Sequence, residues 1–204
     1  LPDPGEVKLR LTGLGKSIDQ IEKEVEKVIE TFPKEASEYI YGTNKDTLSS
    51  IIGEQLRTKG HTVATAESCT GGFVAHQITS LAGSSDYFLG SVIAYHNNVK
   101  MKELQVPENM LKSDGAVSEP VVATMAKSVR EKFNATYGLA TSGIAGPGGG
   151  SAEKPVGTVW IAISSLKGTI TKKLQLTTNR ERNIILSYVY LMNEFRVALK
   201  NEKI

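Results

Sequence analysis

The sequence predicts a layered α/β domain built on a mixed sheet, and three observations carry that expectation. From about Thr47 onward, short apolar runs alternate with segments of helical period, the pattern of strands covered by helices. The last two apolar runs, "GTVWIAISS" and "TITKKLQL", are joined only by "LKG", a length that suits an antiparallel hairpin. Two stretches rich in glycine and hydroxyls, "AESCTGG" and "ATSGIAGPGGGS", end predicted strands, where ligands gather in open α/β sheets.

Each element follows from local pattern. In "EVKLRLTGLG" the alternation of Val7, Leu9 and Leu11 predicts a short half-buried strand. Ser17 to Thr31 places Ile18, Ile21, Val25, Val28 and Ile29 on one helical face, and Ser17 with Gln20 three residues on resembles a capping box. One strand and one helix do not make a domain, so residues 1 to 43 are expected to be the tail of a preceding small α/β module. The loop-like start "LPDPGEV", without methionine, reads as a cut inside a longer polypeptide. A break is expected near "YGTNKD", opening a second domain over 44 to 204.

Thr47 to Lys59 then reads as an amphipathic helix on Leu48, Ile51, Ile52 and Leu56, stopped by Gly60. "TVATAE" reads as a strand, "GGFVAHQITSLA" as a helix, and "SDYFLGSVIAYH" as a strand with its approach. "EPVVATMAKSVREKF" reads as a helix with Pro120 in its first turn, where a missing N–H costs little. "YGLATSGI" is the next predicted strand, and "NRERNIILSYVYLMNEFRVALK" a long closing helix.

Composition narrows the function classes. With 24 basic against 22 acidic residues in 204, a net charge of +2 and 6% aromatics, the chain lacks both the electrostatic footprint and the stacking platform of a nucleic-acid binder. The single cysteine, Cys69, allows no internal disulfide and suits a reducing cytosol. His61, His76 and His96 show no metal-ligand spacing, so no metal is expected. No apolar run approaches the roughly 18 residues of a membrane span, and the chain is expected to be soluble and cytoplasmic.

Three stretches hold candidate chemistry. In "AESCTGG", Ser68, Cys69 and Thr70 are expected near a helix N-terminus; capping is the plainer reading, and the spacing alone favours it. The motif does not match a Gly-x-Ser-x-Gly elbow. In "ATSGIAGPGGGS" nucleotide fingerprints fail, yet the glycines permit close backbone approach to a ligand and an anion nest; a surface loop is the alternative. In "AYHNNVK", Lys100 could activate a nearby serine only if its pKa fell well below the ordinary value of about 10.4, by about 3 to 4 kcal/mol of differential interaction, which demands burial or a neighbouring cation. A solvated surface lysine is the default.

Taken together, "TAESCTGG", "GSSDYFLGSVIAYHNNVK", "GAVSE", "TSGIAGPGGG" and "KPVGTVWIA" resemble the C-terminal domain family of the competence/damage-inducible protein CinA, whose domain also stands alone as nicotinamide mononucleotide (NMN) deamidase. The resemblance implies a three-layer α/β/α sandwich, preceded here by a fragment of a linking module, in a homodimer whose full-length chain carries a further N-terminal domain. It implies hydrolysis of the NMN carboxamide to nicotinate mononucleotide and ammonia by a serine amidase without metal or cofactor. The alternative is a non-catalytic nucleotide-binding or regulatory domain.

Carried onto this sequence, the resemblance makes Ser68 the nucleophile and Lys100 the general base, with Tyr95 as a catalytic residue hydrogen-bonding the lysine. Asn97, Thr141 and Ser142 fall on motif positions, and Gly143, Gly146, Gly148 and Gly149 belong to a phosphate and ribose cradle. Glu67, Thr70 and Gly71 are expected at the substrate, with Glu67 orienting a substrate hydroxyl or the lysine; a cap is the competing reading. Where family members carry Gly-Asp-Arg before the last helix, this chain has Thr178-Asn179-Arg180. Arg180 is kept for the substrate phosphate or the oxyanion. Cys69, paired with His96, is the rival nucleophile, and the start of the helix after Ser68 is the expected source of oxyanion donors.

Overall fold

The computed structural model describes residues 4–33, 39–43, 45–201 and 204; the expected loop at residues 1–3 and position 44 of the expected break lie outside them. The chain divides into two compact units, Leu1–Asp46 and Thr47–Ile204.

In the first unit α1 spans Ile18–Glu30, with Ser17 Oγ accepting from the Gln20 amide. The Gln20 side chain donates to Glu24, so only the Ser17 half of the expected box is made. The strand expected at Val7, Leu9 and Leu11 does not form: beyond a bridge residue at Glu6 the segment has no regular structure, and Val7 is 80% exposed. Alternation supplies a strand with a face but not with a partner to hydrogen-bond, and a lone strand is unstable.

The second unit starts with α2 (Leu48–Lys59), closed by a reciprocal Thr47–Ser50 capping box and by Gly60 in the left-handed region. There follow β1 (Val63–Glu67), α3 (Phe73–Thr79), a 3-10 turn, β2 (Phe88–Ile93), α4 (Asn97–Leu104), α5 (Glu108–Ser113) and α6 (Glu119–Lys132). The chain ends in β3 (Tyr137–Gly143), β4 (Thr158–Ser164), β5 (Thr169–Gln175) and α7 (Arg180–Lys200). Helices α4 and α5 were not expected from the sequence. Both are short, with too few apolar positions to show a helical period.

The sheet is mixed, in the order β2-β1-β3-β4-β5. Strand β1 pairs in parallel with β2 and β3, while β3, β4 and β5 run antiparallel. Alternation along the strands builds two faces. Ala64, Ala66, Ala140 and Ala162 face Val121, Val122, Met125 and Val129 of α6, with Leu104 and Val106 in the same cluster. The approach is close: a Cβ on Gly138 would come within 2.0 Å of the Ala126 carbonyl oxygen. On the other face Tyr137 meets Phe195 of α7 edge to face. Phe73 of α3 packs against Tyr188 in the same way, and Ser49 of α2 hydrogen-bonds Tyr188 Oη at 2.9 Å. Helices α4 to α6 thus cover one face and α2, α3 and α7 the other, in three layers. No helix of the described residues is long and apolar enough to cross a membrane.

Candidate active site

From β1 the chain passes to β2 on one side and later returns to β3 on the other. The carboxyl end of β1 is therefore a topological switch point, the crevice where open α/β sheets bind ligands. The ladder runs one residue beyond the strands there: Ser68 N–H donates to the Thr141 carbonyl and Ala94 N–H to the Glu67 carbonyl. Successive side chains at this edge turn to opposite faces.

Glu67 turns toward α3. It is 1% exposed, and its carboxylate accepts from the amides of Gly72 (3.0 Å), Val74 (3.0 Å) and Ala75 (2.8 Å) and from Thr70 Oγ1 (2.7 Å). Thr70 Oγ1 also lies 2.7 Å from Thr141 Oγ1. These contacts correct the expected roles. The N-cap position of α3 is Gly72, which has no side chain to offer, and the preceding strand's carboxylate caps the helix in place of Ser68, Cys69 or Thr70. Gly71 and Gly72 take φ of +61° and +101°, values that an L side chain would strain. With Phe73 N–H donating to the Thr70 carbonyl, the amides at the start of α3 are engaged, so they are not the oxyanion donors expected. The backbone N–H groups that next follow Ser68 along the chain are those of Cys69 and Thr70.

Ser68 turns the other way, toward α4. Lys100, one turn into that helix, is 1% exposed, and its Nζ donates to the Ala94 carbonyl (2.7 Å), Ser68 Oγ (3.0 Å) and, at 3.5 Å, the Tyr95 carbonyl. No carboxylate pairs with it among the described residues. Burial pushes its pKa below the ordinary lysine value, as the base role requires. Once deprotonated, an amine held by Ala94 O at this distance would face the serine hydroxyl with its lone pair.

Cys69 does not share this geometry. Its thiol is buried, and desolvation pushes its pKa up to about 12, so the thiolate is not accessible near neutrality. The proposed partner His96 is exposed and caps α4, with Nδ1 accepting from the Asn98 amide at 3.2 Å.

A second group gathers at the rim. Arg180, the first residue of α7, donates from Nη1 to the Gly146 carbonyl and from Nη2 to Tyr95 Oη, both at 2.9 Å. Tyr95 reaches Lys100 only through its backbone; the phenol goes to the arginine, contrary to the expected bond with the lysine. Asn179 in the altered triplet caps α7, its Oδ1 accepting from the Arg182 amide. Asn97 is exposed in the first turn of α4.

Sequence reasoning missed Asn183, which is fully buried. Its Nδ2 donates to the Ala145 and Thr177 carbonyls and its Oδ1 accepts from Thr177 N–H and Oγ1, pinning the glycine-rich loop to α7. In the sequence it is only the last residue of the polar stretch "NRERN", with nothing local to mark it as buried. Ser142 donates to the Ala116 carbonyl (2.7 Å), and Lys154 reaches the neighbouring Asp114 carbonyl (2.6 Å). Gly143 serves packing, since a Cβ would meet Val159 at 2.6 Å, whereas one on Gly148 would meet nothing within 4 Å and one on Gly149 only Ile144, at 3.7 Å. Those two glycines border open space. Among the described residues no three His, Cys, Asp or Glu converge to hold a metal ion.

The CinA C-terminal domain family model matches residues 45–199. A CinA-like protein of Cytophaga hutchinsonii is 47% identical over 203 residues, covering 100% of this chain and 49% of that protein. A CinA-like protein of Prochlorococcus marinus subsp. pastoris is 46% identical, covering 96% of this chain and 46% of that one; the chain spans about half the length of these relatives. The crystal structure of competence/damage inducible protein CihA from Agrobacterium tumefaciens superposes with a TM-score of 0.72 at 35% identity, over 75% of this chain and 93% of that one. A CinA superfamily protein from Klebsiella pneumoniae gives a TM-score of 0.74 at 29% identity, over 78% and 99%. The chain belongs to the CinA C-terminal domain family.

Proposed function

We propose that this domain is a serine amidase that deamidates NMN to nicotinate mononucleotide and ammonia. The observation that carries the reading is the buried Lys100 Nζ at 3.0 Å from Ser68 Oγ, an amine with lowered basicity placed on a hydroxyl that needs a base.

Neutral Lys100 takes the Ser68 proton as Oγ bonds to the carboxamide carbon, and the amides of the Cys69–Thr70 turn meet the oxyanion. The Lys100 ammonium then returns its proton to the departing nitrogen; the C–N bond breaks, ammonia leaves and an acyl-serine remains. Water attacks the ester while Lys100 accepts its proton. Collapse breaks the C–O bond, Oγ recovers the proton from Lys100, and the carboxylic acid product ionises. The glycine-rich loop and Arg180 receive the ribose and phosphate. A homodimer and a further N-terminal domain in the longer chain belong to the same proposal.

The test is ammonia release from NMN by this chain, with Ser68→Ala beside it. Release by the parent and its loss in the variant is the expected result. Binding of NMN without release, even at high enzyme concentration, would replace the amidase by a nucleotide-binding domain.

A further inference from the structure

One residue of β3 holds each residue of the turn that follows β1. The Thr141 carbonyl accepts the Ser68 amide at 3.0 Å, and Thr141 Oγ1 lies 2.7 Å from Thr70 Oγ1. The intervening Cys69 thiol hydrogen-bonds the same side chain. Thr141 stands in the middle of the sheet, opposite Glu67 of β1 on one side and Ile161 of β4 on the other, so two ladders set its position. The residue is 0% exposed, with no face open to a substrate.

The hydroxyl protons of this cluster run in one direction. Thr70 donates to Glu67 Oε2 at 2.7 Å. A threonine hydroxyl has a single proton, so in the Thr70–Thr141 bond Thr141 is the donor and Thr70 accepts. The Thr141 oxygen is left to accept from the thiol, a weak donor. The chain from Thr141 through Thr70 thus ends on the carboxylate that caps α3, while the Thr141 carbonyl fixes the other end of the turn at Ser68.

We propose that Thr141 is a positioning residue for the catalytic turn: its hydroxyl, donated to Thr70, holds the Cys69 and Thr70 amides where the oxyanion forms. This rests on the amidase reading of the same site. Donors act on an oxyanion at about 2.7 to 3.1 Å from the place where its charge develops. Slack in the turn therefore weakens the transition state and leaves ground-state binding alone. The Lys100 amine bonds Ser68 and Ala94 and lies outside this chain of hydroxyls, so its titration is untouched.

The experiment measures ammonia release from NMN by the parent, Thr141→Val, Thr141→Ser, Thr70→Val and the double valine variant. Valine keeps the shape of threonine and removes the hydroxyl. Thr141→Val is expected to lower kcat about tenfold with KM and the pH midpoint of kcat unchanged, and Thr141→Ser to stay within about threefold of the parent. Thr141→Val should add little to Thr70→Val. A fully active valine variant, a loss lying in KM, a shifted pH midpoint, no rescue by serine, or additive losses would overturn the proposal. If Thr141→Val does not fold, Thr70→Val decides by the same criterion of a loss in kcat alone.

Should the parent release no ammonia, the amidase reading fails by itself, and a fluorophosphonate still reads the turn. Ser68 Oγ bonds to phosphorus as the P–F bond breaks, fluoride leaves, Lys100 takes the proton, and the phosphoryl oxygen occupies the oxyanion position. Labelling of Ser68, followed by intact mass, is expected to slow about tenfold in Thr141→Val and to recover in Thr141→Ser. Equal rates in the parent and Thr141→Val overturn the proposal, as does a parent inert to both reagents.

Discussion

Two buried ionisable side chains approach the Ser68 turn from opposite faces of the sheet, and the fold treats them differently. Glu67 receives three backbone amides and a hydroxyl. Lys100 finds carbonyls and the serine hydroxyl but no counter-charge. A carboxylate that accepts three amides and a hydroxyl is fixed in place by them and becomes part of the framework. An ammonium buried among neutral acceptors is held poorly and yields its proton readily. The same depth of burial therefore produces a fixed strut on one face and an amine of lowered basicity on the other, and the deciding factor is what each group can bond to.

The sharpest way to break this contrast is to remove the amine. Lys100→Met, similar in length but without the base, is expected to reduce kcat for ammonia release about a thousandfold. It also gives a stability signature. Because the folded pKa of Lys100 lies below the unfolded value, the native state binds fewer protons than the unfolded state between the two. Stability of the parent relative to Lys100→Met should therefore rise with pH from the lowered folded value up to about 10.4 and level off beyond it. Denaturant titrations across that range check this, and a difference that falls with rising pH would mean that the native site stabilises the charged amine.

Glu67→Gln probes the other half. The Glu67 oxygens accept only, so an amide nitrogen placed at either position faces an N–H or hydroxyl donor. The expected cost is about 3 kcal/mol of unfolding free energy, measured by chemical denaturation, with a drop in turnover because the turn loses its anchor. A variant of parental stability would remove Glu67 from the framework role. The smallest effect is expected for Cys69→Ala, about 1 kcal/mol or less of stability with turnover within about threefold of the parent. A dead Cys69 variant beside an active Ser68→Ala would instead make the thiol the nucleophile.

Much of this was legible before any coordinates. The helix at Leu48–Lys59, the three strands from Tyr137 onward and the closing helix follow from periods of 3.6 and 2 and from caps at Thr47 and Gly60, all interactions within a few residues. The pairing of Ser68 with Lys100 was reached through motif resemblance, since 32 positions separate them and no local rule joins them. The Tyr95 assignment missed its partner for the same reason: the phenol meets an arginine 85 positions away. The strand expected at Val7 to Leu11 shows the converse, a local pattern left without a partner.

By itself, the sequence determined which residue types stand at the carboxyl ends of the strands and which segments become helices or strands, because those depend on near neighbours along the chain. Tertiary structure alone decided what each polar group does. The pleat of β1 sends Glu67 and Ser68 to opposite faces, so adjacent residues in "AESCTGG" meet different helices, and burial without a counter-charge is a property of the assembled layers. The carboxylate became the cap and the thiol an inert neighbour because of the donors and the solvent exclusion that the fold brought to each.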